Sequence, residues 1–106
     1  MCAALAACTL SNIEITQSAT GVSVHGKPEY EVVVSNNCIC SQSSLLLASK
    51  GFQTIERIDS SIFLQTGDTA SINNGQPVFQ GHPIKFKYAW GNKFDLKPYS
   101  SQINCS

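Results

Sequence analysis

Five cysteines stand in this chain of 106 residues, and two of them, Cys38 and Cys40, are separated by one isoleucine in "VVVSNNCICSQSS". Sulfur at that spacing serves a metal site, a redox pair or the anchorage of disulfides. Zinc sites favour paired cysteines about two to four residues apart and need a second such pair, or two histidines. Here the other cysteines are scattered singly, and His25 and His82 sit alone in turn-like contexts, so no metal is expected. Redox pairs take Cys-X-X-Cys at a helix N-terminus, where the dipole lowers a thiol pKa. Cys-Ile-Cys after a valine run offers neither feature. A bond between Cys38 and Cys40 themselves is poor, because residues two apart in extended chain lie ~6.6 Å apart with Cβ vectors that do not converge. Two separate staples remain. On a strand both sulfurs share a face, one reaching Cys8 before the first strand and the other Cys105 after the last, with the assignment open.

Catalysis needs a constellation, and none is visible. The carboxylates Glu14, Glu29, Glu31, Glu56, Asp59, Asp68 and Asp95 show no paired spacing, although a fold can unite distant ones, as glycosidases do. An Asp-X-Asp motif and a glycine-rich phosphate loop are both missing. The expectation is no catalytic residue, no enzyme activity and no cofactor. For binding, the candidate contacts are Trp90, Lys93, Phe94 and Lys97, which pair aromatics with cations beside a turn, where recognition residues concentrate. Trp90 is in phase with Ile84, Phe86 and Tyr88, so its ring is expected to cap the core. Asn104-Cys105-Ser106 is formally a glycosylation sequon.

The elements that must position these residues read as strands. Ile13 and Ile15 alternate with Asn12 and Glu14; Tyr30, Val32 and Val34 share a face; Lys85 and Lys87 oppose the Ile84–Phe86–Tyr88 row. Tyr99, Ser101, Ile103 and Cys105 fall in register on a last strand. "SSLLLASKG" is read as strand in preference to helix, "GFQTIERI" as a further alternating piece, and "DSSIF" as one helical turn capped by Asp59. "HGKP" and "NNGQP" are the turn signals. About seven short strands between turns predict an all-β fold, an antiparallel β-sandwich stapled by disulfides.

Bulk composition agrees. Seven basic and seven acidic residues cancel, which offers no field for nucleic acid and no polybasic membrane patch. Charged residues make up 13%, about half the average share, with Ser, Thr, Asn and Gln in their place. No apolar run approaches the ~20 residues of a membrane span. Residues 1–7, "MCAALAA", read as a residual signal-peptide-like segment with small residues before Cys8. Removing it takes Cys2 away and leaves four cysteines, a disulfide number. Residues 8–106 then form one domain, secreted into the extracellular space.

Several of these stretches also carry a family likeness. Cys8, Ile13, Ile15 and Gln17; Tyr30, Val32 and Val34 with Asn36-Asn37-Cys38; Asn74-Gly75-Gln76-Pro77; Ile84 to Ala89; and the closing Ser100 to Cys105 together resemble the plant TAPETUM DETERMINANT family, of which this chain looks like a divergent member. The resemblance implies a small secreted cysteine-rich protein of the apoplast, a signalling ligand for the ectodomain of a leucine-rich-repeat receptor kinase in anther or tapetum cell-fate specification. It carries over Cys8, Cys38, Cys40 and Cys105 as structural bridges. Relatives carry further cysteines near the positions held here by Ser49 and Thr69. The alternative is an extracellular carbohydrate-binding β-sandwich module, similar to those of plant endoglucanases, with cell-wall polysaccharide as partner. No membrane insertion is expected.

Overall fold

Where the sequence alternates, the chain pairs. The computed structural model describes residues 8–105, and it contains seven strands: β1 (Ile13–Val24), β2 (Lys27–Asn36), β3 (Ser41–Ala48), β4 (Phe63–Thr66), β5 (Thr69–Ile72), β6 (Ile84–Ala89) and β7 (Lys97–Asn104). They form two antiparallel sheets, one ordered β1-β2-β6 and the other β4-β5-β3-β7. The signal-like segment 1–7, including Cys2, and Ser106 of the sequon lie outside the described residues.

Cross-strand register explains the core. Gln17, Val32 and Phe86 lie opposite one another in the first sheet, as do Ile15, Val34 and Ile84. With period-2 alternation, such rows turn one face inward along every strand. That face meets Leu45, Leu47, Phe63, Ala70 and Ile72 from the second sheet, and Val78 and Leu96 fill in from the connections. Each fully buried aliphatic or aromatic side chain contributes about 1.5–3 kcal/mol. The β1–β2 hairpin turns at His25 and Gly26, both at positive φ (48° and 82°), the two-residue geometry that matches strand twist. Asn73, Asn74 and Gly75 also take positive φ, in the turn that the "NNGQP" signal predicts. Asp59 caps its turn as expected: its carboxylate accepts the Ser61 N–H at 2.9 Å, and its carbonyl accepts Ile62 N–H at 2.9 Å.

Three expectations are corrected. "GFQTIERI" is not a strand. Its burial does alternate, with Phe52, Thr54, Glu56 and Ile58 half-buried and Gln53, Ile55 and Arg57 exposed. Its backbone, however, makes one link to a strand, Ile55 N–H to the Ala89 carbonyl at 3.0 Å. It is an extended cover over the edge of β6, one way proteins shield an open edge.

The last strand forms, but Tyr99, Ser101, Ile103 and Cys105 do not keep one register on it: Cys105 lies past the end of β7, and Tyr99 and Ile103 are 60% and 36% exposed. Leu47 pairs with Pro98 while Leu46 pairs with Ser100, so Tyr99 is an extra residue on β7. Such a bulge bends the strand and redirects its side chains.

Finally, Cys38 and Cys40 do not share a strand face. They lie in the bend 37–40, where the chain crosses from β2 in one sheet to β3 in the other, with Ile39 between them 74% exposed.

Candidate functional site

The bend is braced from several sides. Cys8 bonds Cys38 and Cys40 bonds Cys105, with Cα atoms 5.8 and 4.8 Å apart. Head and tail of the described chain are thereby fastened to one crossover. Asn36, at the end of β2, holds the bend's shape: its Nδ2 donates to the carbonyls of Cys40 (2.8 Å) and Val78 (3.0 Å), and its Oδ1 accepts the Cys38 N–H at 3.0 Å. Gln42, fully buried two residues past Cys40, donates to the Thr9 carbonyl at 2.9 Å and accepts from Ser101 Oγ at 2.6 Å. One side chain thus joins the segment after Cys8 to the strand before Cys105. Sulfurs of Cys8, Cys40 and Cys105 come within 4.8 Å of one another. They belong to two disulfides, and a bridged sulfur is not the thiolate that zinc takes.

The loop 90–97 separates into two kinds of residue. Trp90 and Phe94 are half-buried against the core, whereas Lys93 and Lys97 are exposed. Lys27 Nζ sits 5.5 Å from the centre of the Trp90 ring, a cation–π contact. Phe94 packs on Phe52 and Tyr88, with centroids 5.2 and 5.9 Å away. Its backbone is clamped: Phe94 N–H donates to Tyr88 Oη (3.0 Å), Tyr88 Oη donates to Gln17 Oε1 (2.5 Å), and Gln17 Nε2 donates to the Phe94 carbonyl (2.6 Å). Burial pushes the Tyr88 phenol above its ordinary pKa, against the Phe94 hydrogen bond that lowers it. The phenol therefore stays neutral and keeps donating. Lys97 meets Asp95 at 3.3 Å, fully in solvent, where such a pair adds little. It also borders a shallow apolar hollow of about 460 Å³ with Leu10, Ser11 and Pro98.

A third arrangement has little local signal in the sequence. Glu29 on β2 and Glu56 in the cover segment bring their carboxyl groups close enough for each to influence the other's titration. Glu29 is only 7% exposed and accepts from Thr20 Oγ1 at 2.7 Å. The hydroxyl of Thr20, then the Glu56 contact, hold Glu29 below the usual carboxylate value of 4.5. Burial, then the Glu29 hydrogen bond and charge, raise Glu56 above it. Neighbouring carboxyls disfavour a second negative charge, which separates their titrations. Such a pair differs from the one about 5–9 Å apart that flanks a scissile glycosidic bond. Beside them a cleft of about 290 Å³ is lined by Glu31, Glu56, Arg57, Lys85 and Lys87, among others. Alternation in the cover segment is the one hint the sequence gives, since it turns Glu56 inward.

Fold and braced bend define a class: a small, disulfide-stapled sandwich of two antiparallel sheets with Cys8 and Cys105 fixed to one crossover. A family model described as "Tapetum determinant 1, C-terminal" matches residues 9–106, and the chain belongs to that family. It is 25% identical over 101 residues to TPD1 protein homolog 1 of Arabidopsis thaliana, an alignment covering 92% of this chain and 55% of that protein. The chain thus spans about half the length of the curated relative it matches. No solved structure matches it significantly. Among the described residues no helix is long and apolar enough to cross a membrane.

Proposed function

We propose that this tapetum determinant-type protein is a secreted signalling ligand, bound by the ectodomain of a plant leucine-rich-repeat receptor kinase in cell-fate specification. The observation that carries the reading is the family match over residues 9–106 on a chain whose Cys8–Cys38 and Cys40–Cys105 bridges persist in an oxidising compartment. A surface fixed in advance loses little conformational entropy when it docks. The exposed cations Lys93 and Lys97, standing out from a loop clamped by Tyr88 and Gln17, supply the contact. Binding is the reading throughout, with no chemical step. The carbohydrate alternative has less support, because the Trp90 and Phe94 rings are half-buried and Lys27 lies over the tryptophan.

The test is capture of exported, oxidised protein by a panel of such ectodomains, run beside retention on cellulose and xylan. The expected result is ectodomain capture that is lost after reduction and alkylation and weakened by Lys93→Ala with Lys97→Ala. Retention on polysaccharide without capture would replace the ligand reading with the module.

A further inference from the structure

Residues 52–58 cross the edge of the three-stranded sheet without joining it. Their N-terminal end is anchored by Phe52, whose ring packs on Phe63 and Tyr88 at 4.8 and 5.0 Å. At the middle, Ile55 N–H donates to the Ala89 carbonyl (3.0 Å) and Ala89 N–H donates to Thr54 Oγ1 (3.1 Å). Next comes Glu56. Its Oε1 is buried and no donor in the structure reaches it, while its carboxyl contacts that of Glu29. A buried carboxylate oxygen lacking a donor is costly, and a second carboxylate beside it adds repulsion. One proton relieves both, by turning Glu56 into a donor toward Glu29.

We infer that residues 52–58 are a strap fastened across the β6 edge by a proton shared between Glu56 and Glu29, and that loss of this proton releases the strap. Other groups around the pair do not remove the need for the proton. Thr20 from β1 is a neutral donor already spent on Glu29. Lys87 from β6 favours the charged form of both carboxyls, but it ranks last among the influences on each. Glu31 and Lys85 line the same cleft with Arg57 and Asp59 of the strap side, and Asp59 is turned to Ser61.

The direction follows from the two shifts. Glu56 is raised in the fold, so its contribution is complete below the ordinary 4.5 and is lost as pH rises through the raised value. Glu29 is lowered, so its contribution is present above 4.5 and is lost as pH falls through the lowered value. The strap is tightest between the two, with one proton on the pair, and loosens as pH rises through the raised value of Glu56. Release reshapes two clefts at once, because Glu56, Arg57 and Ile58 wall the one of about 290 Å³ and Phe52, Thr54 and Ile58 wall one of about 230 Å³. It also bares the backbone of Ala89. This mechanism stands apart from the receptor reading.

The test uses the whole oxidised protein. Tryptic cleavage after Arg57, which is exposed in the strap, is followed by mass spectrometry from about pH 4 to about pH 8, for wild type and for Glu56→Gln. Gln keeps a neutral donor at this position, and the ratio of the two rates cancels the protease's own pH dependence. The wild-type-to-variant ratio is expected to rise roughly three- to tenfold toward neutral pH. A flat ratio overturns the inference. A second measurement needs no variant: hydrogen exchange should show Ala89 losing protection toward neutral pH while Val32, in the central strand, keeps it. Parallel loss at both amides would mean global unfolding, and the strap would be rejected.

Discussion

The side-chain amide of Asn36 donates to the backbone carbonyl of Cys40 at 2.8 Å, so the last residue of β2 holds the cysteine that anchors the C-terminus. With Val78 and Cys38 as its other partners, this one buried side chain ties both sides of the bend together.

Asn36→Ala removes three hydrogen bonds and leaves their backbone partners in a buried setting. The expected loss is about 2–4 kcal/mol in urea unfolding. Asn37→Ala, one residue on but exposed, should cost no more than about 1 kcal/mol. Equal losses at the two positions would reduce Asn36 to an ordinary polar residue.

Removing either bridge by paired serine substitution should destabilise by about 2–5 kcal/mol. Cys40–Cys105 spans 65 residues against 30 for Cys8–Cys38, so chain entropy makes its removal worse by roughly 0.5–1 kcal/mol. Unfolding midpoints of the two double variants decide the order. A reversed order would show that native contacts outweigh the loop term.

Tyr88→Phe leaves Gln17 Oε1 and the Phe94 N–H without their partner. The expected cost is about 1–3 kcal/mol, with faster hydrogen exchange at Phe94. A phenol whose folded pKa is raised stabilises the fold fully below its ordinary 10.0 and ceases to as pH climbs through the raised value. Absorbance titration should therefore show a late phenolate step in wild type, abolished by the substitution.

Ser49 Oγ is buried with no hydrogen-bond partner. Ser49→Ala removes an unsatisfied polar atom and should be neutral or stabilising by up to about 1 kcal/mol. Calorimetry that found a clear loss would reveal a partner at this hydroxyl.

Much of this fold is legible in local pattern. The Ile13–Ile15, Val32–Val34 and Phe86–Tyr88 alternations report a face that must be buried, and period two is a property of the backbone itself. The His25-Gly26 turn is legible for a similar reason: few residues accept positive φ. "GFQTIERI" misleads because alternating burial requires a surface to lie against, and hydrogen-bonded neighbours are a separate condition. The row from Tyr99 to Ile103 misleads because a bulge leaves no mark in composition. It arises when one strand must accommodate the curvature of its partner.

By itself, the sequence determined that the chain is all-β, that Cys38 and Cys40 serve different bridges and that both chain ends are the other anchors, since these follow from spacing and periodicity. Tertiary structure alone decided which cysteine takes which end, because that depends on how the β2–β3 crossover bends around Asn36. It alone also placed Glu56 against Glu29, 27 residues away in sequence. Electrostatic neighbours of this kind are chosen by the path of an unpaired segment over a sheet edge, and no local rule of residue type or spacing encodes that path.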